Sequence, residues 1–294
     1  MEPKLDVLQL KRFDESIQEF YCNTFSDHVE RHHKEILVPH KHDFYLTVLF
    51  TRGSGIHEID FNRYRIEPGA VFFLSPGQSH FWEPSADAEG VIFFHSKAFF
   101  DLAFNGRSVE DLPFFDSLFN PPQLVLSTNT DGFASRFSGV LEEYRGEAPF
   151  RGQVIRAMLD LLYLQLSRVY LKANDGKIGH VGTDAKHLAQ FDQLVERYYK
   201  TDKSAGQYAQ RMNMTVRHLN RITRALLNKP TTVLIMERVV LEAKRLLVNT
   251  NNSLTDVALA LGFEDYAYFS RVFKKYSGLS PSQFAKQYKT AFLR

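Results

Sequence analysis

The sequence predicts a multidomain α+β chain, with a β-rich N-terminal domain, a helical hairpin and an all-α C-terminal domain. Three observations predict it. Up to about residue 100 the chain consists of short apolar runs broken by Gly and Pro turns, the spacing of a β sandwich or barrel. From about Gly132 the apolar residues recur at intervals of three and four, the helix period. The length, 294 residues, suits two domains rather than one.

The β region runs in order as follows. Phe44 to Thr51 is β-branched and aromatic and stops at Gly53-Ser54-Gly55. Ile56 to Phe61 roughly alternates, as a half-buried strand does. A turn at Asn62-Arg63 leads into Tyr64-Arg65-Ile66, and Glu67-Pro68-Gly69 leads into the apolar run Ala70 to Leu74. Pro76-Gly77 turns the chain again, and Val91 to Phe94 is the last clear strand.

Two helices follow. Phe133, Phe137, Val140, Leu141 and Tyr144 mark the first. Ile155, Met158, Leu159, Leu162, Leu166, Val169 and Tyr170 mark the second, from about Gln153 to Leu171. The Gly and Pro between Arg145 and Arg151 allow an antiparallel pair. These stripes would cover the β domain, and Leu161, Leu162, Leu166 and Val169 are enough to leave a face for a second copy. Asn174 to Thr183 holds three glycines and reads as linker. The expected plan is a β domain at 1–130, a hairpin at 131–173, a linker at 174–186 and a helical domain at 187–294.

Helix starts in the last domain carry their own signals. Ser204 precedes Gln207 by three residues, Ser253 precedes Asp256, and Ser280 precedes Gln283. That spacing lets the serine oxygen accept from the third amide while the later side chain reaches back. Pro281 sits at a first helical position, where a missing amide proton costs nothing.

Two segments repeat at an offset of about 50 residues. Ala209 followed by Thr215 to Arg221 resembles Ala258 followed by Asp265 to Arg271, and each reads helix, short turn, helix. In the first unit Leu219, Ile222 and Leu226 form the expected buried stripe, with Arg217, Asn220, Arg221 and Arg224 opposite. In the second, Phe269, Val272, Phe273 and Tyr276 are set against Tyr268, Arg271, Lys274 and Lys275. Arg pairs bidentately with guanine, Asn pairs with adenine, and Lys neutralises phosphate. One basic stripe is the ordinary look of a solvated helix. Two, in a duplicated unit with matched small and apolar positions, point to DNA.

Net charge agrees once it is divided. The total of +2 argues against a nucleic-acid binder. Yet residues 187–294 hold 17 Lys and Arg against 8 Asp and Glu, or +9, while residues 1–186 hold 19 against 26, or −7. A +9 module suits phosphate contacts that weaken as salt rises.

Ala258, Gly262-Phe263, Tyr268-Phe269, Arg271, Phe273-Lys274, Gly278 and Ser280-Pro281 resemble the second motif and end of the AraC/XylS-type transcriptional regulators. Ala243 and Leu246-Leu247 match the connecting helix, and Leu219 and Arg221 match the first motif. The resemblance covers about 100 residues. It implies seven helices, with one from about Thr232 to Val248 bridging two motifs on one face of DNA. It places Arg217, Asn220 and Arg221 at base-reading positions, and Tyr266, Ala267, Tyr268 and Arg271 at those of the second motif. Thr223 stands where the family usually has Phe, Asn228 where it has Gly, and Val239 where Arg is frequent.

The β region is similar to the cupin-like jelly roll that precedes this module in many such regulators, through His40-Lys-His42, Gly53-x-Gly55, Pro68-Gly69 and Pro76-Gly77-x-x-His80. The resemblance implies a small-molecule effector, with His42, Tyr45, Glu58, His80 and Trp82 as candidate contacts; a polar, uncharged effector suits them, and Arg52 and Arg65 leave an acid open. Three histidines, His40, His42 and His80, could converge on a metal. Enzymatic cupins add a Glu four or five residues after the second His, and here those positions are Leu46 and Thr47. The expectation is therefore no metal, no cofactor and no enzyme. The alternatives are a cupin-type metalloenzyme with a helical appendage and a constitutive DNA-binding protein with a structural barrel.

The single cysteine, Cys22, excludes an internal disulfide and a cysteine zinc cluster, as a reducing compartment would suit. No run of about 18 apolar residues exists. Residues 1–20 lack the apolar core of a signal peptide. The expected setting is the cytoplasm, with no membrane partner. The expected partners are double-stranded DNA, the effector, a second copy of the chain and RNA polymerase.

Overall fold

The computed structural model describes residues 7–13, 19–36, 38–101, 108–115, 120–126, 130–174, 183–249 and 253–291. The chain divides into two compact units between Ile178 and Gly179.

The first unit is built on two antiparallel sheets. Strands β2 (Phe20–Thr24), β4 (Tyr45–Arg52), β7 (Ala70–Leu74), β9 (Glu89–His95) and β10 (Gln123–Val125) form the larger, in the order β10-β7-β4-β9-β2. Strands β5 (Gly55–Ile59), β6 (Asn62–Ile66) and β8 (His80–Pro84) form the smaller, in the order β6-β5-β8. A short parallel pair joins β1 (Val7–Leu8) to β3 (Lys41–His42).

Side-chain parity explains why β4, β7 and β9 read as continuous apolar runs. Successive strand residues point to opposite faces, and both faces of the larger sheet are buried. Leu46, Val48, Phe50, Phe72, Leu74, Ile92 and Phe94 face inward with Ile59, Ile66 and Trp82 of the smaller sheet. Tyr45, Leu49, Val71, Phe73, Val91 and Phe93 face the helical layer. That layer contains α2 (Lys97–Asp101), α3 (Thr130–Arg145) and α4 (Arg151–Ala173). Phe137, Val140, Ile155, Leu159, Leu162 and Leu166 are buried in it. Leu162 and Leu166, two of the residues read as spare for a second copy, are thus used inside the subunit. The outward face of α4 carries Val154, Leu161 and Leu164, exposed by 39%, 56% and 37%.

Two local features depart from the expectations. The turn between β5 and β6 is Asp60-Phe61, not Asn62-Arg63, with both residues left-handed at φ 48° and 68°. Asp60 is anchored by Ser79 N at 3.1 Å and Gln78 Nε2 at 2.9 Å, which holds this tight hairpin geometry without glycine. Helix α1 (Phe25–Ile36) and strand β2 form a further pair of elements that the sequence pattern did not announce.

Among the described residues the second unit contains helices only: α5 (Thr183–Tyr198), α6 (Ala205–Arg211), α7 (Val216–Leu227), α8 (Thr231–Asn249), α9 (Leu254–Ala260), α10 (Tyr266–Ser277) and α11 (Pro281–Ala291). Helix α5 starts inside the stretch expected to be linker, whose residues 175–182 lie outside the described residues. The long bridging helix α8 matches the expected span to one residue at each end. Arg238 on α8 is 6% exposed and grips Glu196 of α5 through Nε–Oε1 at 2.6 Å and Nη2–Oε2 at 2.9 Å. Its guanidinium also lies 4.0 Å from the Tyr199 ring centre and 3.2 Å from Glu242. Val239 beside it is fully buried. Among the described residues no helix is long and apolar enough to cross a membrane.

Candidate nucleic-acid interface and sensor core

Each recognition helix is positioned by the same local chemistry. In the first unit Ser204 and Gln207 form a reciprocal capping box at the start of α6. Ala209 O accepts from Met214 N at 3.0 Å across the turn, and Thr215 Oγ1 accepts from His218 N at 3.1 Å to start α7. In the second unit Ser253 and Asp256 form the box, Ala258 O accepts from Phe263 N at 3.0 Å, and Asp265 accepts from Ala267 N and Tyr268 N. The offset is 49 through Ala258 and Gly262 and 50 from Asp265 onward, so the second turn holds one extra residue. Both recognition helices end on a left-handed residue, Asn228 at φ 54° and Gly278 at φ 81°.

The buried faces account for the departures from the family pattern. Phe269 and Phe273 are buried in the second unit, Leu219, Ile222 and Thr223 in the first. Thr223 fills the position of Phe273 and uses its hydroxyl, which lies 3.2 Å from Thr231 Oγ1 at the start of α8. Leu226, Val272 and Tyr276, expected to be buried, are partly exposed.

The opposite faces carry Arg217, Arg221 and Arg224 on α7 and Tyr268, Arg271, Lys274 and Lys275 on α10, all exposed. Ala267 joins that face, and Tyr266 is half-buried with its ring 6.1 Å from Phe269. Asn220 lies apart. Its Oδ1 accepts from Thr231 N at 3.0 Å, so the amide caps α8 instead of lining the stripe. Arg221 Nη2 donates to Asp184 Oδ1 of α5 at 2.9 Å.

In the sensor unit the structure brings His42, His80 and Trp82 together and separates Tyr45 and Glu58 from them. His80 lies between His40 and His42, with ring centres 4.2 and 5.0 Å away, and His57 Nε2 is 3.0 Å from His80 Nδ1. His57 stacks on Trp82 at 3.4 Å. Tyr45 points to the helical layer, stacked on His95 at 5.5 Å. Glu58 points outward on the smaller sheet, 3.4 Å from Arg63 Nε; burial raises its carboxyl above the ordinary value and Arg63 opposes that rise. The contact missed by sequence reasoning is His57. Its signal is the register that pairs it with Trp82 across β5 and β8.

Burial fixes the protonation of this core. It pushes His42 down to about 3 and His40 to about 4, and holds His57 and His80 well below the ordinary 6.5. All four rings are neutral at pH 7. Neutral His42 donates Nδ1–H to Phe44 O at 2.7 Å, which leaves Nε2 as a bare acceptor. In the His57–His80 pair one ring donates to the other. Their outer atoms, His57 Nδ1 and His80 Nε2, are then one donor and one acceptor in either order. These three outer nitrogens are buried and lack hydrogen-bond partners among the described residues. The barrel imidazoles do not gather three ligand atoms within 4.8 Å of one another; among the described residues only Asp184, His187 and His218 form such a group.

An antiparallel sensor sandwich joined to a duplicated helix-turn-helix with two basic outward helices defines a ligand-responsive, DNA-binding transcription regulator. Residues 28–162 match the family described as AraC-like ligand binding domain, and residues 208–287 match a helix-turn-helix domain family. The chain belongs to the AraC/XylS-type regulators. It is 25% identical over 260 residues to the HTH-type transcriptional activator RhaR of Escherichia coli K12, covering 86% of this chain and 89% of that one. Among solved structures it is similar to ToxT of Vibrio cholerae, at 14% identity, TM-score 0.48, and 91% and 98% coverage of the two chains. It is also similar to the C-terminal domain of AraT from Geobacillus stearothermophilus, at 22% identity, TM-score 0.34, and 36% and 88% coverage.

Proposed function

We propose that this regulator is a cytoplasmic homodimer, not an enzyme, whose sensor core binds an uncharged, hydroxyl-bearing small molecule and thereby changes how α7 and α10 sit on DNA. The observation that carries the DNA half is the matched pair of capped helices, each with a buried apolar stripe and an exposed basic one. Arg217, Arg221 and Arg224 read or grip one segment of the operator. Tyr268, Arg271, Lys274 and Lys275 do so on the next, with Tyr266 and Ala267 at the edge of the contact. The working division is sensing in 1–130, pairing through 131–173 and DNA binding in 187–294, with RNA polymerase as the partner of the DNA-bound form.

The effector class follows from the three orphan nitrogens. Neutral imidazoles provide a donor and two acceptors without net charge, and a hydroxyl satisfies either kind. Trp82 and Phe72 pack against the His57 ring, with centres 3.4 and 4.7 Å away, and binding sites commonly combine such apolar contacts with a few placed polar groups. Pairing is supported by Val154, Leu161 and Leu164, which lie on one outward face of α4. The effector must bind one DNA-bound arrangement better than another, or nothing shifts. Thermal-shift screening of the full chain against neutral polyols and sugars, with small carboxylates and amines as comparison, tests this. Stabilisation by a neutral polyol that also alters DNA affinity supports it. A hit list confined to charged compounds contradicts it.

A further inference from the structure

Two helices at the start of the second unit bring three metal-ligating side chains together. Asp184 and His187 stand three residues apart on α5, so both project from one face. His218 sits in the first turn of α7. Their ligand atoms all lie within 4.8 Å of one another. The two imidazole rings meet nearly edge to face, centres 6.0 Å apart at 80°. His187 Nδ1 is buried and has no hydrogen-bond partner among the described residues, although unpaired buried donors and acceptors are rare in folded chains. The Asp184 carboxylate accepts a hydrogen bond from Arg221 Nη2 at 2.9 Å.

We propose that Asp184, His187 and His218 bind one divalent transition-metal ion of the zinc type, clipping α5 to recognition helix α7. Two imidazoles and a carboxylate are a borderline nitrogen and oxygen set that suits zinc, cobalt or nickel, whereas magnesium and calcium favour all-oxygen shells. Three protein ligands leave a fourth position for water or another ligand. All three ligands belong to the helical unit, so the site is a second input, separate from the effector.

The site shares a carboxylate with the DNA-reading face. Arg221 follows His218 by three residues on α7 and donates to Asp184 at 2.9 Å. An ion on Asp184 withdraws the negative charge that holds this guanidinium, so the loaded protein presents Arg221 more readily to a base. This consequence rests on α7 being a recognition helix; ion binding itself does not.

The test titrates metal-stripped full-length protein with Zn2+ and Co2+, without DNA, by calorimetry and visible absorption. One ion per chain is expected, with the intense visible bands of a low-coordinate cobalt site. Asp184→Asn, His187→Gln and His218→Gln should each weaken binding by about tenfold or more, since even outer partners of metal ligands matter that much. Unchanged binding in the His187→Gln/His218→Gln double variant, or no saturable binding in the parent, overturns the site. In a separate arm, Zn2+ should raise operator affinity in the parent and not in the double variant. If ion binding holds and this arm fails, the coupling to DNA is overturned and the site stands.

Discussion

The Tyr163 hydroxyl lies 2.8 Å from His95 Nε2 and 3.0 Å from Thr47 Oγ1, so one buried phenol on α4 ties together two strands of the sensor sheet. Directions follow from charge. Burial pushes His95 down to about 4, so the ring is neutral; its Nδ1–H donates to Ser96 O, and Nε2 accepts from Tyr163. Thr47 then donates to the Tyr163 oxygen. Tyr163→Phe keeps the packing and removes both bonds, leaving a buried nitrogen without a donor. The expected cost is about 1–3 kcal/mol, read as a lower denaturant midpoint for the sensor unit with an unchanged slope.

Acid should unfold the sensor unit early. His28 and His42 are held near 3 and His40 and His95 near 4, in each case chiefly by burial. An unfolded chain binds those protons near 6.5, so between about 6.5 and 4 the unfolded state holds more protons than the native one. Stability is full above about pH 6.5 and falls as the pH drops, by up to about 1.4 kcal/mol per pH unit for each histidine. Denaturation at pH 7.5, 6, 5 and 4, followed by the fluorescence of Trp82, checks this. A flat profile across that window contradicts it.

The helical half was legible in the sequence to a degree that the sensor core was not. Capping pairs such as Ser204 with Gln207 are local, and the stripes of α7 and α10 repeat at the helix period, so neighbours alone define them. Tyr45 and Glu58 show the opposite case. Strand parity says that Tyr45 and Leu46 face opposite ways, but both faces of β4 are buried, so apolar character does not reveal which face is the interior. His57 and Trp82 meet only through the register of β5 on β8, a long-range fact. Asn220 fits the basic stripe by spacing, yet its partner Thr231 belongs to the next helix.

Arg238 should matter more to stability than any exposed arginine. It is buried, paired with Glu196 and Glu242, and stacked near Tyr199. Arg238→Ala takes one of two arginines from the Glu242 carboxylate, 13% exposed, leaves Arg245 Nη1 3.3 Å from it, and opens a gap. A loss of about 3–5 kcal/mol is expected in denaturant unfolding of the helical unit. Arg238→Met fills the gap and should cost less only when Glu196 and Glu242 are neutralised as well.

The two left-handed glycines of the second motif should respond differently to alanine. At Gly278, φ 81°, an added Cβ meets nothing within 4 Å, so only the backbone preference of about 1–2 kcal/mol is lost. At Gly262, φ 72°, the Cβ would lie 2.2 Å from Lys200 O. That carbonyl must move, and Lys203 Nζ donates to it at 2.7 Å. Gly262→Ala should therefore lower the melting temperature clearly more than Gly278→Ala. Equal shifts would show that the turn relaxes freely.

The central claim is that both recognition helices read sequence, one segment each. In vitro selection of DNA with the full-length protein and with its Arg221→Ala and Arg271→Ala variants tests it most directly. A bipartite consensus is expected for the parent. Arg221→Ala should lose selectivity at positions in one block and Arg271→Ala at positions in the other, each by about 1–3 kcal/mol. An identical consensus from all three proteins, or a single block that both variants affect alike, would contradict it.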